Sequence, residues 1–200
     1  MISSRVAPSK IGVENLEQHY ENLKKFGIPI VIAINHFAQD TDNEIRYLSN
    51  WCDGHGYKYA FLDGFLKGGD GAVDLANRVL ECLRTTKPHY QPLYSINDSI
   101  EDKISKIAKE IYRADGVDYT PEALKDIENI KKLKKEHLVV CMAKTQSSFS
   151  DNPKLLNCPH NFKVTVKEVK LSNGAEFIVV VLGSILTMPG LPKIPQATLM

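Results

Sequence analysis

Two phenylalanines, Phe37 and Phe65, stand just beyond apolar runs, where a sheet would present them to a ligand. Phe37 follows Ile28, Ile30, Val31, Ile32, Ala33 and Ile34, and Phe65 follows the stretch Tyr57 to Leu62. In an open α/β sheet, ligands are held at the loops that leave the carboxyl ends of strands. Two rings from neighbouring loops are placed to clamp a flat heterocycle, with offset stacking contributing about 1 kcal/mol per face beyond buried area. The competing reading has each ring packed under its own loop.

Other stretches carry weaker chemistry. Asn35 and Asp40 form an N-x-x-x-x-D pattern distantly like the base-reading strand of nucleotide triphosphatases, where an amide and a carboxylate meet a purine edge. The plainer alternative is that Asn35 satisfies loop backbone groups and Asp40 caps the next helix. The run Lys67, Gly68, Gly69, Asp70, Gly71 precedes a helix, as a phosphate-cradling loop does, but its lysine comes before the glycines. The order G-x-x-x-x-G-K-[ST] occurs nowhere in the chain. The run is therefore either a tight strand-to-helix turn or a loop that closes on a ligand. Lys144, Thr145, Gln146 and the serines after them suit a carboxylate or phosphate, or plain turn chemistry. His36, His55, His89, His137 and His160 are scattered, and no H-E-x-x-H or triad order emerges from them.

The elements that must position these residues follow from periodicity. Val13, Leu16, Tyr20, Leu23 and Phe26 recur at helical intervals, with Gly27 placed as a left-handed stop. The run after it has no alternation and is rich in β-branched residues, which predicts a strand buried on both faces of a parallel sheet. Thr41 with Glu44 makes a capping box for a second helix ending near Gly54 to Gly56. A strand at Tyr57 to Leu62 and a helix from about Ala72 to Arg84 complete a strand, helix, strand, helix order, which implies a right-handed parallel crossover. The loops bearing Phe37 and Phe65 then open on the same edge. Asp98 with Glu101 predicts a further helix ending at Gly116, and Thr120 followed by Pro121 predicts another to about Lys135. His137 to Ala143 reads as a short strand. Phe162 to Val169, the turn Asn173-Gly174 and Phe177 to Leu182 read as a hairpin. Met1 to Lys10 reads as a frayed lead-in, and the proline-rich tail Thr187 to Lys193 as extended.

The totals narrow the function classes. Of 200 residues, 43% are hydrophobic and 24% charged, enough for one good core or a core plus an appendage. Basic residues number 25 against 24 acidic ones, a formal charge of +1, so no global field favours nucleic acid or an anionic membrane. No apolar run approaches the roughly 20 residues that cross a bilayer. Cys52, Cys82, Cys141 and Cys158 form no C-x-x-C pair, and three of them sit in apolar surroundings as reduced packing residues. No charged-then-apolar leader opens the sequence, and a reducing cytoplasm is the expected compartment.

Several separate stretches together resemble one family, the formate–tetrahydrofolate ligases, also called 10-formyltetrahydrofolate synthetases. They are GVENLEQHYENLKKFGIPIVIAINHFAQDT, KGGDGA, IAKEIYRADGVDY, VCMAKTQSSFSDNPKLL and TMPGLPK, in the family's order from Gly12 to Lys193. The resemblance implies an ATP- and magnesium-dependent ligase of one-carbon metabolism that feeds purine biosynthesis. It activates formate as formyl phosphate and transfers the formyl group to N10 of tetrahydrofolate. It implies that Phe37 and Phe65 stack the pterin; Asn35, Asp40, Lys67, Gly68 and Gly69 stand, on their own patterns, as candidate nucleotide or loop contacts. Two positions depart from the family pattern: Phe65 stands where tryptophan is usual, and Ala38 where proline commonly follows the first aromatic.

The expected fold is α/β: the C-terminal part of a parallel sheet like that of P-loop NTPases, plus a small α+β lobe with a terminal β-hairpin. The expected boundaries are 1–11 for the lead-in, 12–90 for the sheet segment with its folate-side loops, and 91–200 for a helical pair and the α+β lobe. The glycine loop that binds ATP and the basic groups that hold formyl phosphate are missing, so the isolated chain is expected to be inactive. The expected partners are folate and formate, with self-association or docking on a longer subunit. The rival expectation is a non-catalytic folate-binding or subunit-assembly module derived from the enzyme.

Overall fold

Helix α1 (Lys10–Lys24) opens the computed structural model, which describes residues 10–144 and 148–183. Of the predicted lead-in, residues 1–9 lie outside the described residues, while Lys10 and Ile11 already belong to α1; Thr145 to Ser147 of the hydroxyl-rich loop and the predicted extended tail also lie outside them. The chain divides into two compact units, Met1–Leu93 and Tyr94–Met200.

In the first unit, α1 buries Val13, and the chain turns at Gly27 with a φ of 65°. A Cβ at Gly27 would strike the carbonyl oxygen of His89, whose own N–H donates to Gly27 O at 2.7 Å. Glycine is thus required here by conformation and by close approach. The apolar run enters the ladder late, as β1 (Ile32–Asn35). It pairs in parallel with β2 (Tyr59–Leu62), in a register running from Ile32 opposite Tyr59 to Asn35 opposite Leu62. Burial on both faces does not hold. Ile32 is buried, but Ala33 is exposed and Ile28 is 39% exposed. An unalternated run reports apolarity on both faces, yet among the described residues this sheet has two strands.

Between the strands runs α2 (Asp42–Gly54), started by the expected box: Glu44 N donates to Thr41 Oγ1, and Thr41 N to Glu44 Oε2 at 2.8 Å. After β2 come a single turn, α3 (Gly64–Lys67), a 3-10 turn over Gly68–Ala72, and α4 (Val73–Thr85). Cys82 is buried on α4, whereas Val73, Leu80 and Leu83 of the same helix are exposed.

The second unit holds α5 (Ile100–Glu110), β3 (Gly116–Tyr119), α6 (Pro121–Lys132), β4 (Val139–Ala143), β5 (Lys163–Ser172) and β6 (Phe177–Leu182). Its four strands lie in the order β3-β5-β6-β4, with β5 and β6 antiparallel and both outer pairs parallel. Ile100, Ile104 and Ala108 of α5 and Ala123, Ile127 and Ile130 of α6 close over Val164, Val166, Ile178 and Val180 of the sheet. Each fully buried Ile or Val in such a core contributes about 1.5–3 kcal/mol. Lys103, on the inner side of α5, is fully buried and donates to the carbonyls of Glu136 and Leu138 at 2.7 and 3.1 Å. Burial pulls its pKa below the usual lysine range.

Three local expectations are corrected in this unit. Ser99, not Asp98, caps α5, because its Oγ accepts from Asp102 N at 3.0 Å while Asp98 binds Ser95 N and the Lys106 ammonium. The helix ends at Glu110, and Gly116–Tyr119 is a strand rather than a helix stop. The hairpin turn is not a two-residue Asn-Gly turn. Asn173–Ala175 makes a 3-10 turn and Glu176 takes the left-handed position at a φ of 57°.

The chain is therefore a mixed α/β protein. No helix among the described residues is long and apolar enough to cross a membrane. None of its cysteines is in a disulfide; Cys52 and Cys82 are buried, Cys158 half-buried and Cys141 exposed.

Candidate functional site

Because Asn35 and Leu62 end their strands in register, the loops that follow leave one edge of the sheet side by side. The geometry brings Phe37 and Phe65 together, with ring centroids 6.3 Å apart and planes tilted by 50°. Flanking a flat ligand in parallel needs about 7 Å, two contact distances of about 3.5 Å. The rings therefore touch each other as they stand. Phe65 is 79% exposed, so the outer ring is the one free to swing aside.

The loop under Phe37 is closed by Asp40. Its Oδ2 accepts from Phe37 N at 2.8 Å and its own N–H donates to Phe37 O at 3.0 Å. Asp40 thus braces the first aromatic, and capping of α2 falls to Thr41. Asn35 is the last residue of β1, half-buried, one position before the loop.

The loop under Phe65 is built on Asp63. Asp63 N donates to Gly71 O at 3.0 Å, and a Cβ on Gly71 would lie 2.5 Å from both the carbonyl carbon and oxygen of Asp63. Gly71 is thus the glycine this turn cannot replace. Gly68 has a φ of 58°, and Gly69 faces open space. Lys67 Nζ donates to Asp63 Oδ2 at 2.8 Å, so the lysine is turned back onto its own loop.

A pairing that the sequence reading missed sits between the two loops. His36 Nδ1 donates to Asp63 Oδ1 at 2.5 Å, with both side chains half-buried. The Lys67 ammonium first, and His36 second, hold the Asp63 carboxyl below the usual carboxylate range. The signal lay in the order of the chain, since each residue directly follows the last of two strands paired in register. No triad spacing marks such a pair.

A groove of about 490 Å³ lies elsewhere in this unit, rimmed by Asp53, Asp74 and Glu81 with Arg78 and lined by Phe61 but not by Phe37 or Phe65. Its acidic rim repels anionic ligands, which separates it from a site for carboxylates or phosphates. Among the described residues no group of three or more His, Cys, Asp or Glu is placed to hold a metal ion. In the second unit, Lys144 lies 5.4 Å from the Tyr112 ring centre and 5.8 Å from that of Phe149, and it donates to Ser148 O.

The family model for formate–tetrahydrofolate ligase matches residues 3–200. The chain belongs to the formate–tetrahydrofolate ligase family. That family's enzymes are carbon–nitrogen ligases of one-carbon metabolism, with formate and tetrahydrofolate as substrates and ATP with magnesium as the source of drive. In this member of the family, the paired rings and the His36–Asp63–Lys67 cluster share one sheet edge.

Proposed function

We propose that this chain supplies the folate side of a formate–tetrahydrofolate ligase, with Phe37 and Phe65 gripping the pterin. The observation that supports this reading is the approach of the two rings to 6.3 Å on loops of one sheet edge. Binding separates the rings and replaces one tilted contact, of about 0.5–1.5 kcal/mol, with a stacked contact on each pterin face. Asn35 and Asp40 fix the first loop, and Lys67, Gly68 and Gly69 shape the second. The segment 12–90 carries these loops, and the second unit builds its own core from a mixed sheet and two helices.

In the complete reaction, formate is first phosphorylated by ATP. The mixed anhydride is then attacked by N10 of tetrahydrofolate, so that a C–N bond forms as the C–O bond to phosphate breaks. Catalysis requires the anhydride and amine to be held in line with water excluded. This chain's share is to hold and orient the amine. The sheet is related to that of the P-loop NTPases, but the G-x-x-x-x-G-K-[ST] order is absent from these 200 residues. Lys67, engaged by Asp63, does not replace it. Alone, the chain does not make formyl phosphate. It acts in the cytoplasm, in the supply of one-carbon units for purine biosynthesis.

Mixing the purified chain with ATP, formate and tetrahydrofolate gives no 10-formyltetrahydrofolate, while tetrahydrofolate still binds and Phe37→Ala weakens that binding. Turnover by the isolated chain would refute the division of labour, and equal binding by Phe37→Ala would refute the clamp.

A second reading, a non-catalytic module that assembles with a longer subunit or with itself, is favoured by the exposed Val73, Leu80 and Leu83 on α4. Their spacing of seven and three places them on one helical stripe. Co-purification with a longer family member, lost in Leu80→Lys with Leu83→Lys, supports assembly. A monomer at high concentration that captures no such subunit argues against it.

A further inference from the structure

His36 is held in one tautomer by its neighbours. A carboxylate only accepts hydrogen bonds, so the contact of 2.5 Å with Asp63 Oδ1 places a proton on Nδ1. In the neutral ring, Nε2 is then a bare acceptor. No hydrogen-bond partner for Nε2 occurs among the described residues, and the side chain is 27% exposed. The ring directly precedes Phe37, and the residue that anchors it lies two positions before Phe65. Lys67 on the other Asp63 oxygen keeps that carboxylate ionised and in place. An acceptor fixed between two aromatic loops reads one thing on a flat ligand: a donor N–H on its rim.

We propose that His36 is a specificity-determining residue whose Nε2 accepts a hydrogen bond from a ring N–H of the heterocycle held by Phe37 and Phe65, so that the site selects reduced over oxidised folate. The proposal rests on the folate reading above. Tetrahydropterin carries hydrogens on N5 and N8, whereas in oxidised folate both nitrogens are bare acceptors. Two acceptors facing each other leave both unsatisfied and repel. Rejecting a ligand that lacks the donor is a stronger discrimination than any change in apolar contact.

The test titrates tetrahydrofolate, under argon, and folic acid into the wild-type chain, His36→Ala, Asp63→Asn and Phe37→Ala, and compares the ratio of the two dissociation constants. The wild type prefers tetrahydrofolate by about ten-fold or more, the worth of one well-placed hydrogen bond. His36→Ala weakens tetrahydrofolate by about ten-fold and leaves folic acid unchanged or bound somewhat more tightly, which removes the preference. Asp63→Asn, which keeps the imidazole but frees its tautomer, lowers the preference and settles the matter should His36→Ala not fold. Equal losses for both ligands, or a preference that survives both substitutions, overturns the role given to His36 while leaving the clamp intact. Phe37→Ala weakens both ligands alike. Failure of the wild type to bind either ligand overturns the clamp, and the role of His36 with it.

Discussion

Replacing Gly71 by alanine isolates the part of the architecture that sets Phe65 in place. The new methyl would stand 2.5 Å from the Asp63 carbonyl carbon and oxygen, which are backbone atoms that no rotamer change can move aside. Forcing a methyl group into closed space costs about 1–3 kcal/mol. Parting the strands of the turn also strains the bond from Asp63 N to Gly71 O, worth about 1 kcal/mol. The expected loss is about 2–4 kcal/mol. Gly69→Ala is the control: it meets open space within the same run and is expected to change stability by less than about 0.5 kcal/mol, or to raise it. Trp51 is the only tryptophan and packs on Tyr57 in the first unit, so its fluorescence reports that unit's urea unfolding. With a urea dependence of about 1.5 kcal/mol per M, the midpoint falls by roughly 1–3 M for Gly71→Ala. Coincident midpoints for the two variants would refute the claim that Gly71 is the constrained glycine. Retained tetrahydrofolate binding by a folded Gly71→Ala would detach the turn from the ligand site.

Three further outcomes are expected. Phe65→Trp enlarges the outer ring and strengthens tetrahydrofolate binding about two- to five-fold, from about 0.5–1 kcal/mol of added burial, measured by titration; weaker binding would contradict a stacking role. Thr41→Ala removes the capping box of α2 and costs about 1 kcal/mol in urea unfolding followed at Trp51, with Thr41→Ser largely neutral. Burial first, then Cys141 for Tyr112 and the carboxylates of Glu101 and Asp102 for Tyr119, push both phenols up to about 12 from an ordinary value of about 10. The folded state keeps protons that the unfolded chain releases, so this stabilisation is complete below pH 10 and is lost as pH rises to about 12. The double variant Tyr112→Phe, Tyr119→Phe flattens the alkaline fall in stability measured by circular dichroism, and an unchanged slope would contradict it.

Local chemistry was legible where the sequence states both partners of an interaction. Thr41 with Glu44, Thr120 with Pro121, and the return strand Phe177–Leu182 formed where the pattern put them. The shared edge of the two aromatic loops follows from chain order alone, since parallel strands joined by a helix end on the same side. What escaped depended on partners distant in sequence. Gly116–Tyr119 becomes a strand because β5 pairs with it in parallel, and four residues carry too little periodicity to show it. Asp98 and Ser99 are both good caps, and Lys106, eight residues from Asp98, draws the aspartate away. Gly71 is singled out by the backbone of Asp63, a closeness that composition cannot reveal among four glycines in eight residues. His36 and Asp63, 27 positions apart, meet only through the register of the strands before them.

The most direct measurement is an NMR spectrum of the chain saturated with tetrahydrofolate under argon, read for nuclear Overhauser contacts between the pterin protons and the phenylalanine rings. Contacts are expected from the pterin to both Phe37 and Phe65, and the contact between those two rings is expected to disappear as they part. Pterin contacts to neither ring, or a complex in which the two rings still touch each other, would contradict the clamp.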